Sequence, residues 1–252
     1  MKLRWLWLLW ISVSASDAQR LPGDFDPLRA EREGRALTAS LLSQVPAASS
    51  TNLGTLEIRA PGRSPVLSLI PVRFSVLNWG NRWISCYEAL GDSPEISCPT
   101  LTILHEPNRP SRYFRGLPVN LDEAPPLSDA DVATLKFAGS DFWVGDLGLE
   151  FLRWPRQRML KKELKRGQAC HVIESLPAAV PDGGYARVVS WLDIDTGGIV
   201  LAEAYDVQRR RMKEFAPKSF RKVEGQWQLK EMRIEDFRTG SRTTVHFDLK
   251  PD

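Results

Sequence analysis

From Leu53 onwards, hydrophobic and polar side chains alternate with a period of two. In TLEIRA, Leu56, Ile58 and Ala60 point one way and Thr55, Glu57 and Arg59 the other, the mark of a strand buried on one face. PVRFSVLNW repeats it, setting Val72, Phe74 and Val76 against Arg73, Ser75 and Leu77, and RWISCYEAL, TLTILHE and SRYFRGL continue the series. A second, longer series runs through 158–165, 169–176, 185–194, 199–206, 210–216, 218–223, 226–236 and 242–249. Its links carry turn chemistry: Arg166-Gly167, Asp182-Gly183-Gly184, Thr196-Gly197-Gly198, Glu224-Gly225 and Thr239-Gly240. Links this short join antiparallel neighbours and leave no room for the crossovers of a parallel sheet. In the last segment Thr243, Val245, Phe247 and Leu249 oppose Thr244, His246, Asp248 and Lys250, so one face is wet and one covered.

Helical spacing occurs in three places. Asp26-Pro27 opens a run of Leu37, Leu41, Leu42 and Val45 that stops at Pro46, predicting a helix at about 27–45. SDADVATLK predicts a short helix at about 128–136. The third place is GSDFWVGDLGLEFLRWP, residues 139–155, where Ser140 is a candidate N-cap, Asp141 suits a helix start and Pro155 forbids continuation. Trp143, Leu147, Phe151 and Trp154 would share one face of a helix over 141–154. Gly145 and Gly148 would each cost about 1 kcal/mol relative to alanine. Burying four large side chains at roughly 1.5–3 kcal/mol each offsets that. Such a helix either plugs the sheet as ordinary core or acts as a lid over an apolar cleft, and periodicity does not separate the two. The expected class is α+β, mainly antiparallel β, with about eleven strands and two or three helices.

The first residues change the picture of where the chain works. Lys2 and Arg4 precede a short apolar run, Trp5 to Val13, and then small residues, the layout of a signal peptide over 1–18, with 19–252 expected as a single domain. The run is about half the ~20 residues that span a bilayer, and no cysteine follows it to accept a lipid. Without residues 1–18 the chain keeps 32 basic and 30 acidic residues, a net +2, too balanced for nucleic acid as the main partner.

Catalytic chemistry is poorly supported. Cys170 and His171 are adjacent on a predicted strand and point to opposite faces, and neither G-x-S-x-G nor H-E-x-x-H occurs. Asp193-Ile194-Asp195 reads as a hairpin end rather than a calcium loop, so neither metal nor cofactor is expected. In an oxidising compartment Cys86 and Cys98 form a candidate disulfide, leaving Cys170 as a lone buried thiol. Arg156, Arg158, Lys161, Lys162, Lys165 and Arg166 form a basic run, either a solvated strand face or a dock for anionic lipid or an acidic membrane partner. Arg209, Arg210, Arg211 and Lys213 form a second cluster near a turn.

Three stretches carry a resemblance: FAGSDFWVGDL (137–147), WLDIDTGGIVLAEAYD (191–206), and the closing QWQLKEMRI with GSRTTVHFDL. Over about residues 50–249 the chain resembles an uncharacterised branch of the LolA-like outer-membrane lipoprotein-sorting proteins. The resemblance implies an open, strongly curved half-barrel with helices over its concave face. It also implies a role like that of the better-known carriers, which move lipoprotein acyl chains or other lipids across the periplasm. The expectation is a non-enzymatic periplasmic carrier or binder whose cleft and lid are formed by Phe74, Phe142, Trp143, Leu147, Phe151, Trp154 and Trp191. Its partners would be lipid or lipoprotein acyl chains, with an envelope membrane protein as a further candidate and a monomer as the favoured state. The rival expectation is an envelope sensor or interaction module with a self-filled core and no cargo.

Overall fold

The computed structural model describes residues 26–62, 66–91, 98–107, 109–223 and 226–249. The expected signal peptide and the Glu224-Gly225 turn lie outside them. Helix α1 (Pro27–Leu42) starts as Asp26-Pro27 predicts: the Asp26 carboxylate accepts from the Leu28 and Arg29 amides at 3.0 and 3.3 Å.

The alternating segments then form β1 (Ser50–Arg59), β2 (Val66–Trp79), β3 (Arg82–Ala89), β4 (Thr100–His105) and β5 (Arg112–Arg115). The second series forms β6 (Arg156–Lys165), β7 (Gln168–Leu176), β8 (Arg187–Asp193), β9 (Ile199–Tyr205), β10 (Arg211–Val223), β11 (Gln226–Asp236) and β12 (Ser241–Phe247). The expected segments 210–216 and 218–223 are one strand, β10. Pro217 does not interrupt it, because the ladder to β9 ends at Phe215 and no neighbour on that side needs the missing N–H.

All twelve strands lie in one open antiparallel sheet, ordered β5-β4-β3-β2-β1-β12-β11-β10-β9-β8-β7-β6. Each series is a meander, and the two meet where β1 pairs with β12 in the middle. β5 and β6 are therefore opposite edges although consecutive in the chain, so residues 116–155 must travel the width of the sheet. They do so across one face and carry every remaining helical turn: α2 (Asp129–Thr134), a 3-10 turn at Phe137–Gly139, α3 (Val144–Leu147) and a 3-10 turn at Glu150–Arg153.

That crossing segment is packed down rather than perched. Phe137, Phe142 and Val144 are buried against Leu56, Val72, Leu101, Ile103, Ile234 and Val245 of the sheet. Trp143, Phe151 and Leu152 pack with Tyr185, Val188 and Met212, with Leu41 and Leu42 of α1 against them. The helix expected over 141–154 is broken: α3 ends at Gly148, Leu149 takes φ +50°, and the chain re-enters a 3-10 turn. Ser140 does not cap it; its hydroxyl donates to the Phe137 carbonyl at 2.6 Å. The glycines are explained by close approach rather than softness. A Cβ on Gly145 would sit 2.7 Å from the Val132 carbonyl oxygen, and one on Gly148 would sit 2.0 Å from the Tyr113 hydroxyl.

Helix α1 covers β6 by the same device. A Cβ on Gly34 would lie 2.7 Å from the backbone of Gln157 and Arg158. Backbone cannot swing aside as a side-chain tip can, so Gly34→Ala is expected to lift α1 from the sheet. The expected cost is roughly 1–3 kcal/mol, less the gain in helix propensity, measured as a lower midpoint of denaturant unfolding.

Candidate functional site

The crossing segment is fixed to the sheet by buried polar side chains. Asp146 accepts from the Trp143 amide at 2.9 Å, from the Tyr185 hydroxyl at 2.9 Å and from Lys213 Nζ at 3.2 Å. Lys213 also donates to the Asp141 carbonyl at 2.7 Å and lies 3.6 Å from the centre of the Trp143 ring. The Asp141 carboxylate accepts from Ser241 and Thr243 on β12 at 2.6 and 2.8 Å. The two aspartates of the GSDFWVGDL stretch are thus clamps to β10 and β12. Lys213 is buried, and does not belong to a basic surface with Arg209–Arg211.

Beyond that clamp, on the side facing α1 and α2, lies an open cleft of about 1140 Å³. Its apolar walls include Leu42 of α1, Pro110, Phe151, Trp154 and Val180, and Trp143 and Tyr185 reach it from the clamp. Arg35, Arg109 and Arg153 also line it, as do Asp129 and Glu150. Glu150 accepts from the Tyr113 hydroxyl at 2.8 Å, and burial pushes its carboxyl above the ordinary range although that bond and Arg153 oppose the rise. Arg153 Nε is buried and has no hydrogen-bond partner among the described residues. Between the crossing segment and the sheet the space is smaller, about 280 Å³ beside Leu41, Trp83, His105 and Leu149.

The fold has solved counterparts. A DUF1329 family protein from Desulfovibrio piger aligns with a TM-score of 0.65 at 20% identity, over 88% of this chain and 95% of its own. A chain named as an outer membrane lipoprotein-sorting protein domain, from Vibrio parahaemolyticus, aligns at 0.65 and 20%, over 87% and 92%. A LolA superfamily protein from Nitrosomonas europaea aligns at 0.55 and 16%, over 87% and 92%. The fold is LolA-like. A family model described as "Uncharacterized protein" matches residues 128–249, and no curated protein matches the chain.

On this LolA-like sheet the expected site residues separate into three groups. Trp143, Phe151 and Trp154 line the open cleft. Phe74, Phe142 and Leu147 belong to the packed core beneath the crossing segment, where Phe142 is fully buried. Around Phe74 and Phe142 the face of the sheet is packed side chain against side chain, while Leu147 also borders the space of about 280 Å³. Trp191 faces the other way: it packs with Val172, Val189 and Leu201 on the outer face, and its indole N–H donates to Glu163. Strand alternation explains the difference, since Val188, two positions before Ser190, packs under the clamp while Val189 and Trp191 point outward.

The basic run lies on β6, an edge strand, and is partly engaged. Arg158 and Arg187 bracket Glu174, Lys161 pairs with Glu163 at 2.6 Å, and Arg166 pairs with Glu214 at 3.3 Å. Lys165 lies 4.1 Å from the centre of the Trp191 ring. Arg156 and Lys162 are exposed. Charges on such an edge also discourage strand addition by a second chain.

Cys86 and Cys98 are free, buried thiols. They lie on opposite faces of the sheet: Cys98 packs under Phe137, whereas Cys86 follows Ile84, which packs with Leu104 and Phe114 on the outer side. Burial pushes the Cys86 thiol up to about 11, which suppresses the thiolate that oxidation requires.

One serine–histidine contact invites a catalytic reading. His105 Nδ1 lies 3.2 Å from the Ser111 hydroxyl, and Ser111 borders the cleft. The other ring nitrogen faces the Ser85 hydroxyl at 3.1 Å rather than a carboxylate. Burial, assisted by Arg153, pulls His105 down to about 3, so it is a poor base near neutral pH. Among the described residues no cluster of His, Cys, Asp and Glu is arranged to hold a metal, and no helix is long and apolar enough to cross a membrane.

Proposed function

We propose that this protein is a periplasmic, non-enzymatic binder or carrier of an acyl-chain ligand, exported by cleavage of residues 1–18 and working as a monomer. The carrying observation is the cleft of about 1140 Å³ between α1, α2 and the Glu150–Arg153 turn. Ligand sites are commonly about 300–1,000 Å³, so this one has room for more than one hydrocarbon tail. A tail would lie on Leu42, Phe151, Trp154 and Val180 and gain the usual free energy of apolar burial. The guanidinium groups of Arg35, Arg109 and Arg153, which line the cleft, would meet a carboxylate or phosphate at its polar end. The likeness to a chain named as an outer membrane lipoprotein-sorting protein domain supports the same reading.

A second reading keeps the fold and drops the cargo. The close packing of Phe137, Phe142 and Val144 on the sheet favours a module that acts on an envelope membrane protein through its surface, and the exposed Arg156 and Lys162 suit such docking.

The cleft separates the two readings. Ala39 of α1 and Ala130 of α2 line it and are exposed, so Ala39→Trp and Ala130→Trp fill it without disturbing the core. Delipidated protein titrated with a fluorescent fatty acid should take up the probe, and each variant should weaken uptake roughly tenfold or more, about 1.4 kcal/mol. Uptake that is absent, or that survives both substitutions, would leave the interaction module as the better account.

A further inference from the structure

β10 and β11 outrun their neighbours. β10 pairs with β9 only as far as Phe215, and β11 pairs with β12 only from Glu231. Residues 218–223 and 226–230 therefore form a two-stranded ribbon, paired only with each other among the described residues and about 20 Å long. Register shifts at Pro217/Ser219 and Ser219/Phe220 bend it where it leaves the sheet. A lone ribbon gains no stability from a sheet face, yet this one carries Phe220, 47% exposed, and Trp227, 57% exposed. Phe220 pairs with Leu229 and Lys222 with Trp227, so both aromatic rings lie on one face of the ribbon. Lys218, Arg221, Lys222 and Lys230 are exposed around them, and the sequence sets only Glu224 against these four.

We propose that the β10–β11 ribbon is a membrane-contact element that inserts Phe220 and Trp227 into the interface of an anionic bilayer while its lysines and arginine hold the headgroups. Tryptophan is favoured at that depth because its ring is apolar and its N–H polar, and long basic side chains keep their charge in the headgroup layer while their stems lie deeper. The charge complementarity commits the surface to anionic lipid. The inference does not depend on whether the cleft takes a ligand.

Flotation of the full exported chain with vesicles tests it. Wild type should float with phosphatidylcholine vesicles that contain phosphatidylglycerol and stay behind with phosphatidylcholine alone. Phe220→Ser/Trp227→Ser should lower partitioning roughly tenfold or more. Arg221→Glu/Lys222→Glu should lower it about fivefold for each basic charge lost, less so at high salt. All four positions are exposed, so the variants should share the wild-type unfolding midpoint, which is measured alongside. The proposal is overturned if the aromatic variant floats like wild type. It is also overturned if phosphatidylcholine alone suffices, or if only Arg156→Glu/Lys162→Glu on β6 releases the protein.

Discussion

Asp146→Ala should destabilise the protein by about 3–5 kcal/mol, because it strands a buried ammonium group. Among the described residues Asp146 is the one carboxylate within 4.0 Å of Lys213 Nζ, at 3.2 Å, and the Lys213 side chain is 2% exposed. Without it the Trp143 amide and the Tyr185 hydroxyl also lose their acceptor. Burial already pulls Lys213 down to about 8 despite the opposing pull of Asp146, so the free ammonium would be costlier still. Urea unfolding should show a lower midpoint with an unchanged slope. Adding Lys213→Met should restore part of the loss, since it removes the orphaned charge and supplies an apolar chain for the Trp143 ring. A single-variant loss below about 1 kcal/mol, or a double variant no better than the single, would mean that the clamp does not hold the crossing segment down.

A second large effect is expected on the acid side. His105 is stacked on Trp83 with ring centres 4.8 Å apart, and burial followed by Arg153 lowers it from 6.5 to about 3. The folded protein therefore keeps the ring neutral while the unfolded chain takes up a proton below about 6.5. The stability this gives is complete above about 6.5 and is lost as pH falls towards 3, at up to about 1.4 kcal/mol per pH unit. His171 is lowered too, mainly by burial, and adds a slope of the same sign. Lower in pH, the bond from Arg59 holds Glu57 below its ordinary range and acts in the same direction. His105→Gln isolates the main contribution: it should be less stable at neutral pH but lose stability more gradually between about pH 6.5 and pH 4. Parallel curves for variant and wild type would refute the assignment.

The parts of this fold legible in the sequence are those set by near neighbours. Period-two alternation located the strands, and Asp26-Pro27 located the start of α1, because strand pleat and helix capping are local. The break in the crossing segment was not legible. Nor was the close approach of the Tyr113 hydroxyl to Gly148 and of the Val132 carbonyl to Gly145, which depends on the completed fold. Lys213 looked like one member of a basic cluster near a turn, whereas the Asp141 carbonyl, the Trp143 ring and Asp146 of the crossing segment surround its ammonium group. Alternation around Trp191 was readable, but which of its two faces the crossing segment would cover was not. The cleft itself gathers α1, Arg109, Pro110 and Ser111 ahead of β5, α2 and the 177–181 stretch, so no single stretch of periodicity marks it.

Mass spectrometry of lipids retained by the natively exported protein tests the central claim most directly. The account predicts acyl lipid at near one molecule or more per chain, lost from Ala39→Trp and Ala130→Trp proteins that unfold at the wild-type midpoint. Folded wild-type protein that emerges without lipid from its own membrane environment would contradict it.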